Sequence, residues 1–466
     1  MEDTENHRLP WYRRPPLVGS LVGVLVLAGG LVLLSLPGER AGHGAPAPAP
    51  GARAAVGAGV PVGLPELAVL IDERQRRVRE HPRDAPSWAL LGAAYVERGR
   101  RTADAAALYP RAERALRTSL KVRPKDNAEA YEGLAALAGA RRDFRAALAW
   151  AEAARRSAPD RWTTYAQLID AYTGLGDHKN AHRALERLRK LRSGPAVLAR
   201  AAGVYWEQGR REDAQAALAD AAAGAESPAE EAAWLERAGQ LAFERGEPDS
   251  ALRHFRAAVR LDPDQWAARA GQGRALAALG RISEAVHAYR AALAGQPLPQ
   301  YALELGELYE SSGQARPARA QYDLLRARVR RDAAGGVDGE LVLGLFEADH
   351  GDPASAVRRL RAEWRRQPGI AVADALGWAL HRAGDDKEAL KYASIATDRV
   401  HGGAVRSAPY VYHLGMIELG LKRPGPGRRH LREALELNPY FSRLHVPAAR
   451  AALGRLGEVP DEDLPE

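Results

Sequence analysis

The chain contains no cysteine. Disulfides, thiolate metal sites, cysteine nucleophiles and a lipidated cysteine anchor are therefore excluded. Aromatic residues make up only 6% of the 466 positions, so any core must be built from Leu, Ala and Val. Lysine is scarce as well. It supplies seven of the 67 basic residues and arginine the other sixty, a bias we read with the abundant Ala and Gly as GC-rich coding. Set against 59 acidic residues, this leaves a net charge of +8, a mild excess. The signatures of common chemistries are missing too. There is no phosphate loop ending in Gly-Lys-Ser/Thr and no Gly-x-Ser-x-Gly elbow. Gly271-Gln272-Gly273 opens like a dinucleotide fingerprint, but Leu276 stands where the third glycine belongs, and close helix packing is the better reading. His178 and His182 have the spacing of two ligands on one helix face, yet a zinc site needs three or four. No catalytic residue, metal or cofactor is expected.

What is present begins with Leu17 to Leu36, a run of twenty residues without charge. As a helix it spans about 30 Å, the thickness of a hydrocarbon core. Pro15 and Pro16 precede it, and Pro37 with Gly38 ends it. A cleaved signal peptide has a shorter apolar region, about 7–15 residues, so a retained single-pass anchor is expected over 17–36. Arg8, Arg13 and Arg14 lie before the run, while Arg40 follows it beside Glu39. The positive-inside bias keeps residues 1–16 in the cytoplasm and sends the rest across the cell membrane. Alternating Ala-Pro in 37–63 predicts an extended spacer.

From there on the chain repeats. One small-residue column runs through Gly92, Ala135, Ile169, Ala202, Gly239, Gly273, Gly306, Gly344, Gly377 and Gly415. A second runs through Ala112, Ala147, Ala181, Ala214, Ala251, Ala285, Ala318, Ala356, Ala389 and Gly427. Prolines close several units, at Pro124, Pro159, Pro263, Pro297, Pro368 and Pro439. Between the columns a glycine (Gly99, Gly176, Gly209, Gly246, Gly280, Gly313, Gly351 or Gly384) suits the left-handed position past a helix end. Each unit reads as two amphipathic helices of about 12–14 residues, which must stack on their neighbours to bury their apolar faces.

These columns resemble the tetratricopeptide repeat (TPR) family over residues 84–441. Unit one carries Trp88, Leu91-Gly92, Tyr95, Ala112 and Pro124. The resemblance implies an all-α, right-handed superhelical solenoid of about ten helix pairs, preceded by the single N-terminal transmembrane helix. With capping helices it fills 64–457, and 458–466 forms an acidic tail. Extra residues follow Ala221, Val329 and Val400, and Pro424 to Gly427 disturb the start of the last second helix.

In that family the first helices line a concave groove. The resemblance places Asp170, Trp206, Glu236, Gln240, Phe243, Glu307, Glu310, Trp378, His381 and Tyr412 on it. Aromatic residues there suit an extended peptide or a helix, and the acids a basic partner. The family's Lys/Asn/Arg clamp for chaperone tails is missing: its places hold Ala89, Ala93, Glu132, Ala136, Ala166 and Asp170. The arginine runs at 326–331 and 358–366 read as solvated helix faces, and nucleic acid is not an expected partner. The expected function is a non-catalytic, membrane-anchored scaffold that binds a protein or peptide. A narrower alternative comes from Pro65 to Tyr95, a membrane-tethered helix running through HPRDAPSWALLGAAY, similar to the TPR part of bacterial cytochrome c maturation proteins. That similarity implies presentation of apocytochrome to haem-attachment machinery.

Overall fold

The computed structural model describes residues 50–398 and 405–457. The expected anchor, the first part of the spacer and the acidic tail lie outside them. Among the described residues there are twenty-three helices and no strand. None of these helices is long and apolar enough to cross a membrane.

Two helices precede the repeats, α1 (Pro50–Ala58) and α2 (Leu64–Glu80). Units 1 to 5 are α3 (Ala85–Thr102) with α4 (Ala105–Val122), α5 (Ala128–Ala140) with α6 (Phe144–Ser157), α7 (Trp162–Gly174) with α8 (His178–Leu191), α9 (Pro195–Glu207) with α10 (Arg211–Ala223), and α11 (Pro228–Glu244) with α12 (Pro248–Leu261). Units 6 to 10 are α13 (Trp266–Ala278) with α14 (Ile282–Gly295), α15 (Pro299–Ser311) with α16 (Ala315–Ala333), α17 (Glu340–His350) with α18 (Pro353–Arg366), α19 (Ile370–Arg382) with α20 (Asp386–Thr397), and α21 (Ala408–Gly420) with α22 (Pro424–Leu437). A cap, α23 (His445–Arg455), closes the stack. Side chains of Asp84, Asn127, Asp143, Asp177, Ser227, Asp352 and Asp385 cap helix N-termini, each accepting from a backbone N–H within the first turn.

The two columns have one cause. On most second helices a large side chain, one turn beyond the second column, points at the first. Phe255 is fully buried between Gly239 and Gly271, where an added Cβ would stand 2.6 and 2.4 Å from its ring. Tyr289 meets Gly273, Tyr322 meets Gly306, Leu360 meets Gly344 and Leu431 meets Gly415 in the same way. Overpacking at such a contact forces backbone shifts, so only a residue without a side chain fits. Unit 9 uses small residues on both sides, and Gly377 lies against the backbone of Ala389 and Ala393.

Some local expectations are corrected. Gly99 does not end its helix: α3 runs on to Thr102, the left-handed residue is Ala103, and Gly99 instead clears room for Tyr109. Gly351 is not left-handed either. The extra residues of unit 1 lengthen both of its helices to 18 residues. Pro424 does not spoil α22, since proline is tolerated in the first turn. From Pro50 on, the expected spacer is not extended. It forms α1, because Ala52 and Val56 find an apolar surface to bury against.

First helices of successive units touch one another as well as their own partners, whereas second helices make no comparable contact with their successors. First helices therefore lie on the inside of the curve. The curve is tight enough for units to meet others four to six places further on. Arg101 forms a buried ion pair with Asp262, Nη2 to Oδ2 at 2.5 Å. Gln296 Nε2 donates to the Arg100 carbonyl at 2.7 Å, and Gln367 Nε2 to the Arg142 carbonyl at 2.8 Å. Asn438 Nδ2 donates to the Phe243 carbonyl at 2.8 Å. Asp262, Gln296, Gln367 and Asn438 share one place, the residue after a second helix and before a unit-closing proline. A residue before proline is held extended, which turns its side chain away from the helix it ends. It reaches the turn of the coil beneath, three times finding a carbonyl at or near a first helix's C-terminal end, where such groups lack intrahelical partners.

The extra residues serve the same seam. After Val329, the Gly335 carbonyl accepts from Arg141 Nε at 2.8 Å, and Arg328 donates to the Ala103 carbonyl at 2.7 Å. Past the insertion after Val400, the Arg406 carbonyl accepts from Arg211. Gln367 also accepts from the Phe144 N–H at 3.1 Å. Gln367→Leu should strand both backbone groups and destabilise the fold by about 1–3 kcal/mol per group. Chemical denaturation measures the loss, and small-angle scattering should show a larger radius of gyration.

Candidate functional site: the lumen of the coil

Because the turns touch and first helices face inward, the coil encloses a lumen. Its first third is already filled. Residues 56–60 lie along Ala89, Ala93, Glu132, Gly133, Ala136 and Gln167 on α3, α5 and α7. Ala52, Val56 and Val62 are buried there, and Arg101 donates to the Val62 carbonyl. Small alanines on the wall leave the room that the segment takes up. Glu132 beneath it is satisfied by Arg161, Thr163 and Thr164.

The middle of the lumen carries a ladder of charges. Asp170 pairs with Arg200 at 2.7 Å. Glu236 accepts from Gln240, and Gln240 in turn accepts from Arg274. Arg274 makes a two-pronged pair with Glu304, which also accepts from the Tyr289 hydroxyl at 2.9 Å. Burial opposes the charge on Arg274, but Glu304 outweighs it and holds the guanidinium above its ordinary range.

Further along, the expected groove residues are mostly spoken for. Glu307 and Glu310 flank His350 at 3.5 and 3.2 Å, and Glu310 accepts from the Tyr322 hydroxyl. Burial pulls the His350 pKa down, and the two carboxylates more than reverse it. His381 bonds Asp386. Trp378, stacked on His413 with centroids 4.4 Å apart, donates to Asp349 at 3.0 Å. Tyr412 stacks on His445 and touches Phe441, so the cap closes over both aromatic rings. Burial raises the Asp349 carboxyl, but His445 and His413 bring it down to about 2. Phe243, Trp378 and Tyr412 are 4%, 2% and 2% exposed. The expectation that they stand out on a groove wall is therefore corrected: they are packed away by neighbouring units and by the cap.

Trp206 does face open space. It lines a cavity of about 620 Å³ between units 2–5 and the turn of units 8–10. Glu207, Arg237, Gln240, Glu244 and Tyr410 face the same cavity. Burial pushes the Glu207 carboxyl up to about 7, with no charge opposing it. Burial also raises Glu244, against the pull of Arg274 and Arg211, and lowers Arg237 to about 10. Reading the groove from the sequence missed Glu207 and Glu244. Both stand five places after a column residue, Ala202 or Gly239, one beyond the position chosen for Trp206 and Phe243.

The arginine runs are largely paired: Arg326 with Asp323, Arg331 with Asp104, Arg359 with Glu340 and Glu347, and Arg361 with Glu388. Of the two spaced histidines, His182 meets Gln208 and His178 is partly buried, which lowers its pKa. Among the described residues no group of three or more His, Cys, Asp or Glu side chains is placed to hold a metal ion.

Antiparallel helix pairs, repeated in register with one helix of each facing an inner wall, define a helical-repeat interaction scaffold. Residues 200–265 and 236–302, within units 4 to 7, match the tetratricopeptide repeat family. Those units are tetratricopeptide repeats, and the helix pairs on either side of them share their geometry. No curated protein sequence matches the chain. Among solved structures it is similar to PilF of Pseudomonas aeruginosa (20% identity, 44% of this chain and 90% of that one, TM-score 0.34). It is also similar to YrrB, described as a TPR protein with an unusual peptide-binding site (18%, 40% and 95%, TM-score 0.28). A third is the Cut9–Hcn1 hetero-tetramer of the APC/C (15%, 84% and 93%, TM-score 0.32).

The Glu207 carboxyl holds its proton to higher pH in the folded chain than the ordinary 4.5. Between those values the folded state binds more protons than the unfolded one, so stability falls as pH rises through the window. Glu207→Gln should therefore raise the melting temperature at pH 8 and leave it nearly unchanged at pH 4.5, as read by scanning calorimetry.

Proposed function

We propose that the chain is a non-catalytic, membrane-anchored scaffold that holds an extended segment of a partner polypeptide inside the lumen. The observation that carries this reading is the inner wall itself. It sets charged and polar side chains among apolar ones and borders a cavity of about 620 Å³ at Trp206, Glu207 and Tyr410, where a core would be filled. A wall built on stacked helices is ordered before a partner arrives, which spares the cost of ordering it on binding. With the first three units covered by α1 and residues 59–63, the open wall begins at unit 4.

A photo-crosslinking phenylalanine analogue in place of Tyr410 should capture a polypeptide in cells. The same group in place of Arg187, exposed on the second helix α8, should not. Equal capture at both positions, or at neither, rejects lumen binding. Capture of an apocytochrome would select the narrower reading.

The anchor in this proposal is Leu17 to Leu36, with the coil on the extracytoplasmic side. The full chain should then resist extraction by alkaline carbonate and yield to protease added outside the intact membrane. Release by carbonate would remove the anchor, and protection from protease would reverse the side.

A further inference from the structure

The sequence points to a partner with basic residues through Glu236, Glu307 and Glu310, yet in the fold these three carboxylates are engaged. Glu236 is held by Gln240, and Glu307 and Glu310 are held by His350 and Tyr322. Two other carboxylates on the same wall are left over. Among the described residues neither Glu207 nor Glu244 has a hydrogen bond or an ion pair, and both face the 620 Å³ cavity. A cavity of this size lies within the range of ligand sites, about 300–1,000 Å³.

The other charged groups facing the cavity are Arg142, Arg237 and Glu363. Arg237 lies over the Trp234 ring at 5.1 Å, with Asp170 and Glu236 as the carboxylates that bear on it, and Glu363 is the carboxylate that bears on Arg142. Glu363 is held by Arg366 and Gln367. Tyr410 lines the same cavity, and burial first, then the charges of Asp374, Glu207 and Glu244, raise its hydroxyl pKa. Arg211 stacks on Trp206 at 5.1 Å and donates to the Arg406 carbonyl, so it is committed to the seam. The cavity therefore presents a tyrosine and two unpaired carboxylates, at equivalent places on the inner helices α9 and α11, in surroundings that penalise their charge. A cation is the group that relieves this penalty.

We propose that this cavity receives the guanidinium or ammonium group of a basic side chain on the partner polypeptide, held by the carboxylates of Glu207 and Glu244 that line it with Tyr410. The proposal rests on the reading that the lumen holds an extended chain, and it names the side chain that anchors it. Both carboxylates are ionised in the complex, so binding near neutral pH releases the proton that burial keeps on Glu207.

The test uses calorimetry on the full chain with three probes: a Gly/Ser peptide carrying one arginine, the same peptide with citrulline, and free arginine amide. The arginine peptide should bind at least tenfold more tightly than the citrulline one. Paired titrations in buffers of different ionisation heat should show proton release at pH 7. Glu207→Gln with Glu244→Gln should erase both the preference and the proton release, while Glu186→Gln on the outer helix α8 should leave them intact. Because the double substitution removes buried charge, an unchanged circular-dichroism spectrum is expected alongside the loss. Equal binding of the citrulline peptide, or no binding by either peptide, overturns the proposal. Arginine amide binding as tightly as the peptide overturns the polypeptide source in favour of a free cation. Capture at Tyr410 that survives the double substitution would sink this proposal and leave lumen binding standing.

Discussion

The structure depends on a bond that no single repeat can make. Backbone carbonyls near the inner helix ends are satisfied by Gln296, Gln367 and Asn438, side chains from units five or six places further along. Helix C-terminal carbonyls need partners from somewhere, and in an open solenoid water supplies them. Here the chain supplies them itself, and the exchange decides the curvature. A flatter coil would lose these bonds together with the Arg101–Asp262 pair.

Closing the seam changes what the inner wall is. In an open groove, side chains on first helices stand in bulk water, where charge is inexpensive. Inside a closed coil the same side chains face another turn of protein, and their charges must be matched or suffer for it. Most are matched: Asp170 by Arg200, Glu304 by Arg274, Asp349 by two histidines and a tryptophan. Glu207 stands out because the same closure surrounds it and nothing answers its charge.

The helix pairs were legible because their rules are local. Column spacing follows from helix geometry, and the glycines follow from bulky residues such as Phe255 and Tyr322 a short distance along the chain. The seam was written in the sequence too, as the residue before each closing proline, but it joins positions 161 to 225 residues apart. No periodicity reports a pairing at that range. The irregular stretches after Val329 and Val400 looked like lapses in the repeat, and flanking residues of both take part in the docking. The groove was half legible for a related reason. Whether an aromatic residue at an inward position is exposed depends on what the next turn or the cap brings. Phe243 and Trp378 are covered, while Trp206 at the same kind of position opens onto a cavity.

The placement of α1 has a kinetic and thermodynamic consequence for anything that approaches from that end. Residues 59–63 connect it directly to α2, so it is a competitor that never diffuses away. A short tether of this kind amounts to a local concentration on the order of millimolar. A free peptide directed at units 1 to 3 faces that concentration whatever its own supply, and its apparent affinity there is reduced in proportion. Partners that read the cavity at Trp206 meet no such rival. The two stretches of wall, alike in sequence pattern, thus differ in accessibility for a reason that lies in connectivity rather than in their side chains.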